Sequence, residues 1–221
     1  MFGLKQHIQP KPYDAPYDCK KCPRLVGFLE DNKRLYPDYH NAPVASFGDD
    51  NAQLLIIGLA PGLQGANQTG RPFTGDYAGD LLYETLAKFG YTRGNYGKHA
   101  DDGLELINAQ ITNAVRCVPP QNKPIGEEVN NCRPYLINQI KDMPNLKCLM
   151  VLGKLSHDTT LKSLGYKLKD FPFGHMNCHT LDNGLTLVDS YHCSRYNTNT
   201  GKLTVEMFEN VFKTIDTLLK Q

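Results

Sequence analysis

Three stretches of this chain carry residues able to do chemistry. The first, GLAPGLQGANQTGRPFTGD, runs from Gly58 to Asp76 and holds five glycines, two prolines and a single carboxylate, Asp76. Glycine lacks a Cβ, so such a loop lets backbone N–H groups approach an anion or a base edge closely. No Gly-Lys-Ser/Thr follows, so it is not a P-loop. Its plainer role would be to connect a strand to a helix. Phe73 sits inside this polar run and either packs into the core or stacks on a nucleobase, a contact worth about 1–3 kcal/mol.

The second feature is cysteine spacing. Cys19-Lys-Lys-Cys22 is a C-x2-C pair, and Cys117 and Cys132 follow with fourteen residues between them. Four thiolates so spaced can close a site for zinc or for a 4Fe–4S cluster, in either case an inert staple tying the N-terminal segment to the rest. Cys148 lies in an apolar run and reads as core; Cys178 and Cys193 are reserve ligands. The third stretch, DSYHCSRYNTNTG from Asp189 to Gly201, sets His192 among small polar residues beside Arg195. No persuasive Ser–His–Asp order appears, so no hydrolase triad is expected.

These residues need a frame. Unbroken apolar runs at Gln53–Ala60, Ile111–Val115, Lys147–Gly153 and Thr186–His192 suit strands buried on both faces. Helical segments are expected at Asp76–Phe89, Ile125–Asp142, Lys154–Leu164 and Thr204–Leu219. The last carries Met207, Phe208, Val211, Phe212, Ile215, Leu218 and Leu219 at helical spacing, with Thr204 placed to cap it. Strand–helix alternation predicts a parallel sheet with helices on both faces. Ligands of such sheets bind beyond the carboxyl ends of the strands, where Gly58–Gly62, Asn113 and His192 all fall.

The 221 residues, 40% hydrophobic and 21% charged, can bury one good-sized core, and no linker or repeat divides them, so one domain is expected. The net charge of +1 argues mildly against a nucleic-acid partner, although a local groove and backbone amides can still carry phosphate contacts. No segment approaches about 18 consecutive apolar residues, and the start MFGLKQHIQP lacks the apolar core of a signal peptide. A cytosolic protein with reduced thiols is therefore expected.

Together these motifs resemble the uracil-DNA glycosylase superfamily, specifically its iron–sulfur type 5 branch. GLAPG–GAN–TGRPFTGD is similar to that branch's first signature, ITNAVRC to its intermediate motif and YHCSRYNTNTGKLT to its last. The cysteine ladder matches too, so the resemblance spans about Cys19 to Thr204. The neighbouring iron–sulfur branch carries an acidic residue where this chain has Leu59. Gln68 replaces an Arg often seen, and Cys193 stands where many relatives carry Pro.

The resemblance implies a three-layer α/β/α sandwich around a central four-stranded parallel sheet, and a 4Fe–4S cluster on Cys19, Cys22, Cys117 and Cys132. It implies a monofunctional DNA glycosylase of bacterial cytosol and nucleoid that flips uracil, or another deaminated base, out of double-stranded DNA and leaves an abasic site. Phe73 would stack on the base, Asn113 read its Watson–Crick edge and His192 donate to O2. Gly58, Leu59, Ala60, Pro61 and Gly62 would line the pocket. Asp76 would stabilise the sugar cation or orient water, unless it merely caps the following helix. Ser194, Arg195, Tyr196 and Asn197 would probe the DNA. A monomer is expected. The rivals are a non-catalytic damaged-DNA binding module on the same scaffold and a zinc-stapled small-molecule hydrolase.

Overall fold

A computed structural model describes residues 8–220. In chain order the elements are α1 (Pro23–Leu35), β1 (Phe47–Gly48), β2 (Leu54–Gly58), α2 (Ala66–Thr69), α3 (Tyr77–Lys88), β3 (Thr92–Arg93), β4 (Glu105–Leu106) and β5 (Ala109–Asn113). They continue as α4 (Gly126–Asp142), β6 (Cys148–Leu152), α5 (Lys154–Ser163), β7 (Cys178–Thr180), β8 (Thr186–Ser190), α6 (Arg195–Asn199) and α7 (Val205–Leu219).

The main sheet has the order β1-β5-β2-β6-β8-β7. Its four central strands are parallel, as the apolar runs predict, and β1 and β7 add short antiparallel edges. Strand side chains alternate between faces, so β2 sends Leu54 and Ile56 to one side and Leu55 and Ile57 to the other. The first pair packs with Leu82 and Leu86 of α3 and Phe208, Val211 and Phe212 of α7. The second packs with Leu136 and Ile140 of α4 and Leu161 of α5. All five residues of β2 are buried, which accounts for a strand apolar on both faces.

Caps begin the helices where the sequence places them. Thr204 accepts from the Met207 amide at 3.1 Å, and Glu128 reaches back to the Ile125 amide at 2.9 Å. Two departures stand out. β5 starts two residues earlier than the Ile111–Val115 reading, because Gln110 is buried by polar partners rather than apolar ones. Helix α1 is absent from the sequence reading; its Leu25 and Leu29 pack against Val115, Val118 and the thiols of Cys117 and Cys132 instead of against the sheet.

Arg116 ties the N-terminal segment to the sheet. Its guanidinium is buried with Asp14 Oδ1 at 3.4 Å, and it donates to Ser46 Oγ at 3.2 Å and to Gln139 Oε1 at 2.7 Å. Asp14 also accepts from the Ser46 amide and hydroxyl. Removing one partner of a buried pair strands the other charge, at a cost of about 3–5 kcal/mol. Asp14→Ala is therefore expected to lower unfolding stability by about 3–5 kcal/mol in chemical denaturation. A loss below about 1 kcal/mol would show that Ser46 and Gln139 satisfy Arg116 unaided.

Candidate active site

The strand register brings the sequence motifs to one place. Gly58 ends β2 directly opposite Asn113, the last residue of β5. His192 follows β8 by two residues, and the Gly153 amide beyond β6 donates to Ser190 O at 2.8 Å. A cavity of about 600 Å³ opens at this edge. Its lining includes Leu59, Ala60, Pro61 and Gly62, Phe73, Asn113 and His192, and Asp76, Ser194 and Arg195.

Gly58 contributes by what it lacks. A Cβ there would fall 2.4 Å from Asn113 Oδ1 and 2.7 Å from Phe73 Cζ. Phe73 is only 7% exposed and shares the core of α3 and α7, as the core reading expects, and it also lines the cavity. It also lies across from His192, with ring centroids 6.0 Å apart and planes 30° from parallel. Its φ of +52° is unfavourable for a residue with a side chain, so its neighbours must hold it.

Those neighbours are buried polar groups. Arg71 is fully buried and meets Asp102 through two 2.7 Å hydrogen bonds. Its Nε donates to Thr74 Oγ1 at 2.8 Å, and its guanidinium lies within 5.7 Å of the ring centres of Phe47, Tyr83 and Tyr96. Tyr83 donates to Pro72 O at 2.7 Å. On the helix side, a Cβ at Gly79 would fall 1.7 Å from Phe73 O, so the loop closes directly onto α3.

Of the two roles that the sequence left as alternatives, Asp76 takes the helix cap, and it also lines the cavity. Its Oδ1 accepts from the Gly79 amide at 3.1 Å and caps α3. Its Oδ2 lies over the preceding turn, 3.4 Å from where a Gly62 Cβ would be and 2.2 Å from that of Gly65. Asp76 is the one carboxylate in the lining. His192 is reached from the cavity yet surrounded by protein, and its ring nitrogens make no hydrogen bond among the described residues. Burial pulls its pKa below the usual imidazole value, against an opposing attraction from Asp76.

The loop after His192 divides its labour. Ser194 Oγ accepts from the Asn197 amide at 3.4 Å and caps α6. Asn197 Nδ2 donates to His192 O at 2.8 Å, so its side chain braces the imidazole's backbone. The Arg195 guanidinium lies 5.4 Å from the Tyr77 ring centre. Tyr196 is 74% exposed and does not line the cavity. Sequence reasoning missed Gln64, Ala66, Gly75, Tyr77, Ala78 and Asn122 in the lining; of these Asn122 had a signal, its proline-flanked setting PPQNKP.

Cys19, Cys22, Cys117 and Cys132 gather between α1 and α4, each near enough to act on another's ionisation. Burial first, then the neighbouring thiols, pushes Cys117 up, so four thiolates there need a cation to compensate them. Polar groups already face the sulfurs: the Arg116 amide donates to Cys132 Sγ at 3.4 Å and Asn131 Nδ2 to Cys22 Sγ at 3.7 Å, and Tyr135 Oη shares a hydrogen bond with Cys19 Sγ at 3.6 Å. Four thiolates so gathered could serve zinc or a polynuclear iron–sulfur cluster. Cys148 is buried in β6 as core, and Cys178 and Cys193 stand outside the set.

Among the described residues, the one tight group of three metal-capable side chains is His157, His179 and Asp189. His157 Nδ1 lies 2.6 Å from Asp189 Oδ1 and its Nε2 2.9 Å from Phe171 O, while Asp189 Oδ2 accepts from the Gly174 amide at 3.1 Å. This buried set anchors the connection between α5 and β7.

Residues 45–216 match the family model for the uracil DNA glycosylase superfamily. The chain is 40% identical to the type-5 uracil-DNA glycosylase of Thermus thermophilus over 87% of its own length and 90% of that protein's. It is 38% identical to the type-5 enzyme of Pyrobaculum aerophilum, covering 89% and 87% of the two chains. It is 36% identical to that of Mycobacterium bovis, covering 88% and 76%.

The burial of His192 makes a prediction about protons. Desolvation disfavours the charged ring, so the folded pKa lies below the usual 6.5 and the ring is neutral at pH 7. Its contribution to stability is complete above the unfolded value and is lost as pH falls toward the lowered one. A ring-¹⁵N NMR titration should show His192 protonating with a midpoint below the usual 6.5. A midpoint at or above 6.5 would contradict this burial.

Proposed function

The chain belongs to the uracil DNA glycosylase superfamily and is a uracil-excising DNA repair hydrolase, and from that premise we propose that the cavity at the end of β2 is where the base leaves its sugar. One observation carries the reading: Phe73 and Asp76 from the glycine loop, Asn113 from the end of β5 and His192 from the loop after β8 line a single cavity at the carboxyl edge of the sheet. The target atom is hidden in a duplex, so the nucleotide must first be flipped out, at a cost of a few kcal/mol. One chain carries the whole constellation, so a monomer suffices.

The C1′–N1 bond breaks with its electron pair departing on uracil, leaving an oxocarbenium-like sugar. Water then adds its oxygen to C1′ and gives up a proton, leaving an abasic site. Charge develops with opposite sign at the two ends, and fixed groups that meet it there lower the barrier. Phe73 offers its ring for stacking on the extruded base. Asn113 can both accept and donate, which matches a C=O beside an N–H on the uracil edge. His192, neutral and unengaged, donates to O2 as negative charge accumulates. Asp76 keeps Oδ1 on its helix cap and turns Oδ2 to the sugar cation or to the attacking water.

Double-stranded DNA is the substrate this reading favours. Tyr196 stands clear of the surface at the end of the His192 loop, with Arg195 beside it, suited to occupy the gap an extruded nucleotide leaves. Cys19, Cys22, Cys117 and Cys132 would hold a 4Fe–4S cluster; when bound, it supplies a covalent cross-link from the N-terminal segment to β5 and α4. No helix among the described residues is long and apolar enough to cross a membrane.

The purified protein should release uracil from a uracil-containing duplex, read as alkali-labile strand nicking, and should carry about four iron atoms per chain. His192→Ala and Asn113→Ala should each lower the rate about 100-fold or more while keeping the iron. Unchanged rates would remove those assignments, and binding of uracil or abasic duplexes without turnover would replace the enzyme by a damage-binding module.

A further inference from the structure

Away from the cavity, three elements aim donor atoms at one buried point. His157 of α5, His179 of β7 and Asp189 of β8 each bring a nitrogen or oxygen within 4.8 Å of the others. Phe171 O lies 2.9 Å from His157 Nε2 and can only accept, so Nε2 carries a proton. His157 Nδ1 meets Asp189 Oδ1 at 2.6 Å, closer than two lone pairs rest, so a cation belongs between them. A proton would bridge those two atoms alone. His179 Nε2 lies 3.4 Å from Asp189 Oδ2 and is a buried atom without a hydrogen-bond partner. Buried polar atoms are rarely left so, and a third donor turned to the same carboxylate fits a metal ion better than a proton.

We propose that His157 Nδ1, His179 Nε2 and Asp189 form a site for a zinc ion, separate from the four thiols and from the cavity. Two imidazoles and a carboxylate suit zinc, whereas magnesium and calcium take oxygen ligands. The outer partners are in place: Phe171 O fixes the His157 tautomer, and the Gly174 amide donates to Asp189 Oδ2 at 3.1 Å. Phe171 meets the His179 ring edge-on at 5.7 Å between centroids, and Phe173 meets His157 at 5.4 Å, which gives the site an apolar wall. The His179 side chain, 12% exposed on the edge strand β7, leaves a way in and a fourth zinc position for water. Zinc displaces the bridging proton to solvent as it binds. It pins α5 and the edge strand to β8, the strand that leads to His192.

The test adds zinc to iron-loaded protein and counts metal after dialysis. About one zinc should stay per chain with the iron unchanged, and Tm should rise. The zinc K-edge spectrum should show nitrogen and oxygen at about 2.0–2.1 Å and no sulfur near 2.3 Å. His179→Gln should weaken zinc binding at least about 100-fold, the upper end of what losing even an outer partner costs, and should abolish the zinc-dependent rise in Tm. Cys178→Ser should bind zinc as the wild type does, since neighbouring strand residues face opposite sides and Cys178 points away from His179. Wild-type protein that retains no added zinc, sulfur in the shell of the added zinc, or undiminished binding by His179→Gln overturns the proposal and leaves a proton between His157 and Asp189. Should His179→Gln unfold, the ligand shell of zinc in the wild type still decides. None of these readouts requires base release, so the outcome stands apart from the glycosylase reading.

Discussion

At the carboxyl end of β2 an amide and an aromatic ring occupy the space that one methyl group would need. Asn113 and Phe73 reach the same point only because residue 58 has no Cβ to displace them. Parallel pairing of β2 with β5 fixes which residue faces Gly58, so a slip of one position would bring Thr112 there and turn the amide to the other face. The rest of the cavity follows from this contact. Phe73 must approach from the loop with a left-handed backbone, α3 must admit its carbonyl at Gly79, and His192 then lies against the ring's other side.

Such a loop cannot be held by apolar packing alone, since packing fixes volume better than direction. Arg71 supplies direction. Its planar fork matches the Asp102 carboxylate, its face meets three aromatic rings, and Nε orients Thr74 next to Phe73. Burial opposes the charge on Asp102, yet hydrogen bonds from Arg71 and from the Leu104 and Gly97 amides hold its carboxyl down to about 2. That contribution to stability is complete above the unfolded carboxylate value of about 4 and drains away as pH falls toward 2. Arg116 does the same for the segment before Cys19. Buried arginines thus fix both the glycine loop and the N-terminal arm.

Much of this was legible in the sequence, and the rest was hidden for identifiable reasons. The four central strands declared themselves by unbroken apolar runs, and α3, α4 and α7 by caps and spacing. Edge strands β1 and β7, two and three residues long, exist only because a neighbour pairs with them, so no local pattern announces them. Helix α1 buries just Leu25, Leu29 and Asn32, too narrow a face to read as amphipathic. Arg71 looked like one more polar loop residue; burial of a full guanidinium depends on Asp102, thirty-one positions away. The resemblance pointed to Asp76, Asn113 and His192, but the division of the Asp76 oxygens between cap and cavity required coordinates.

That division also explains why a neutral imidazole suits the proposed chemistry. A cationic His192 would hold the departing uracil anion more strongly, but it would also attract Asp76 before any substrate entered. The pair would then neutralise itself, and both groups would have to be separated for catalysis. Burial works against that outcome by favouring the uncharged ring despite the nearby carboxylate. Asp76 is restrained from its side, because the Gly79 amide holds one oxygen at the helix cap. In the proposed reaction each group waits for the charge that bond breaking creates: the carboxylate for the sugar, the imidazole N–H for the base. Preorganisation of this kind needs no movement at the moment of bond breaking.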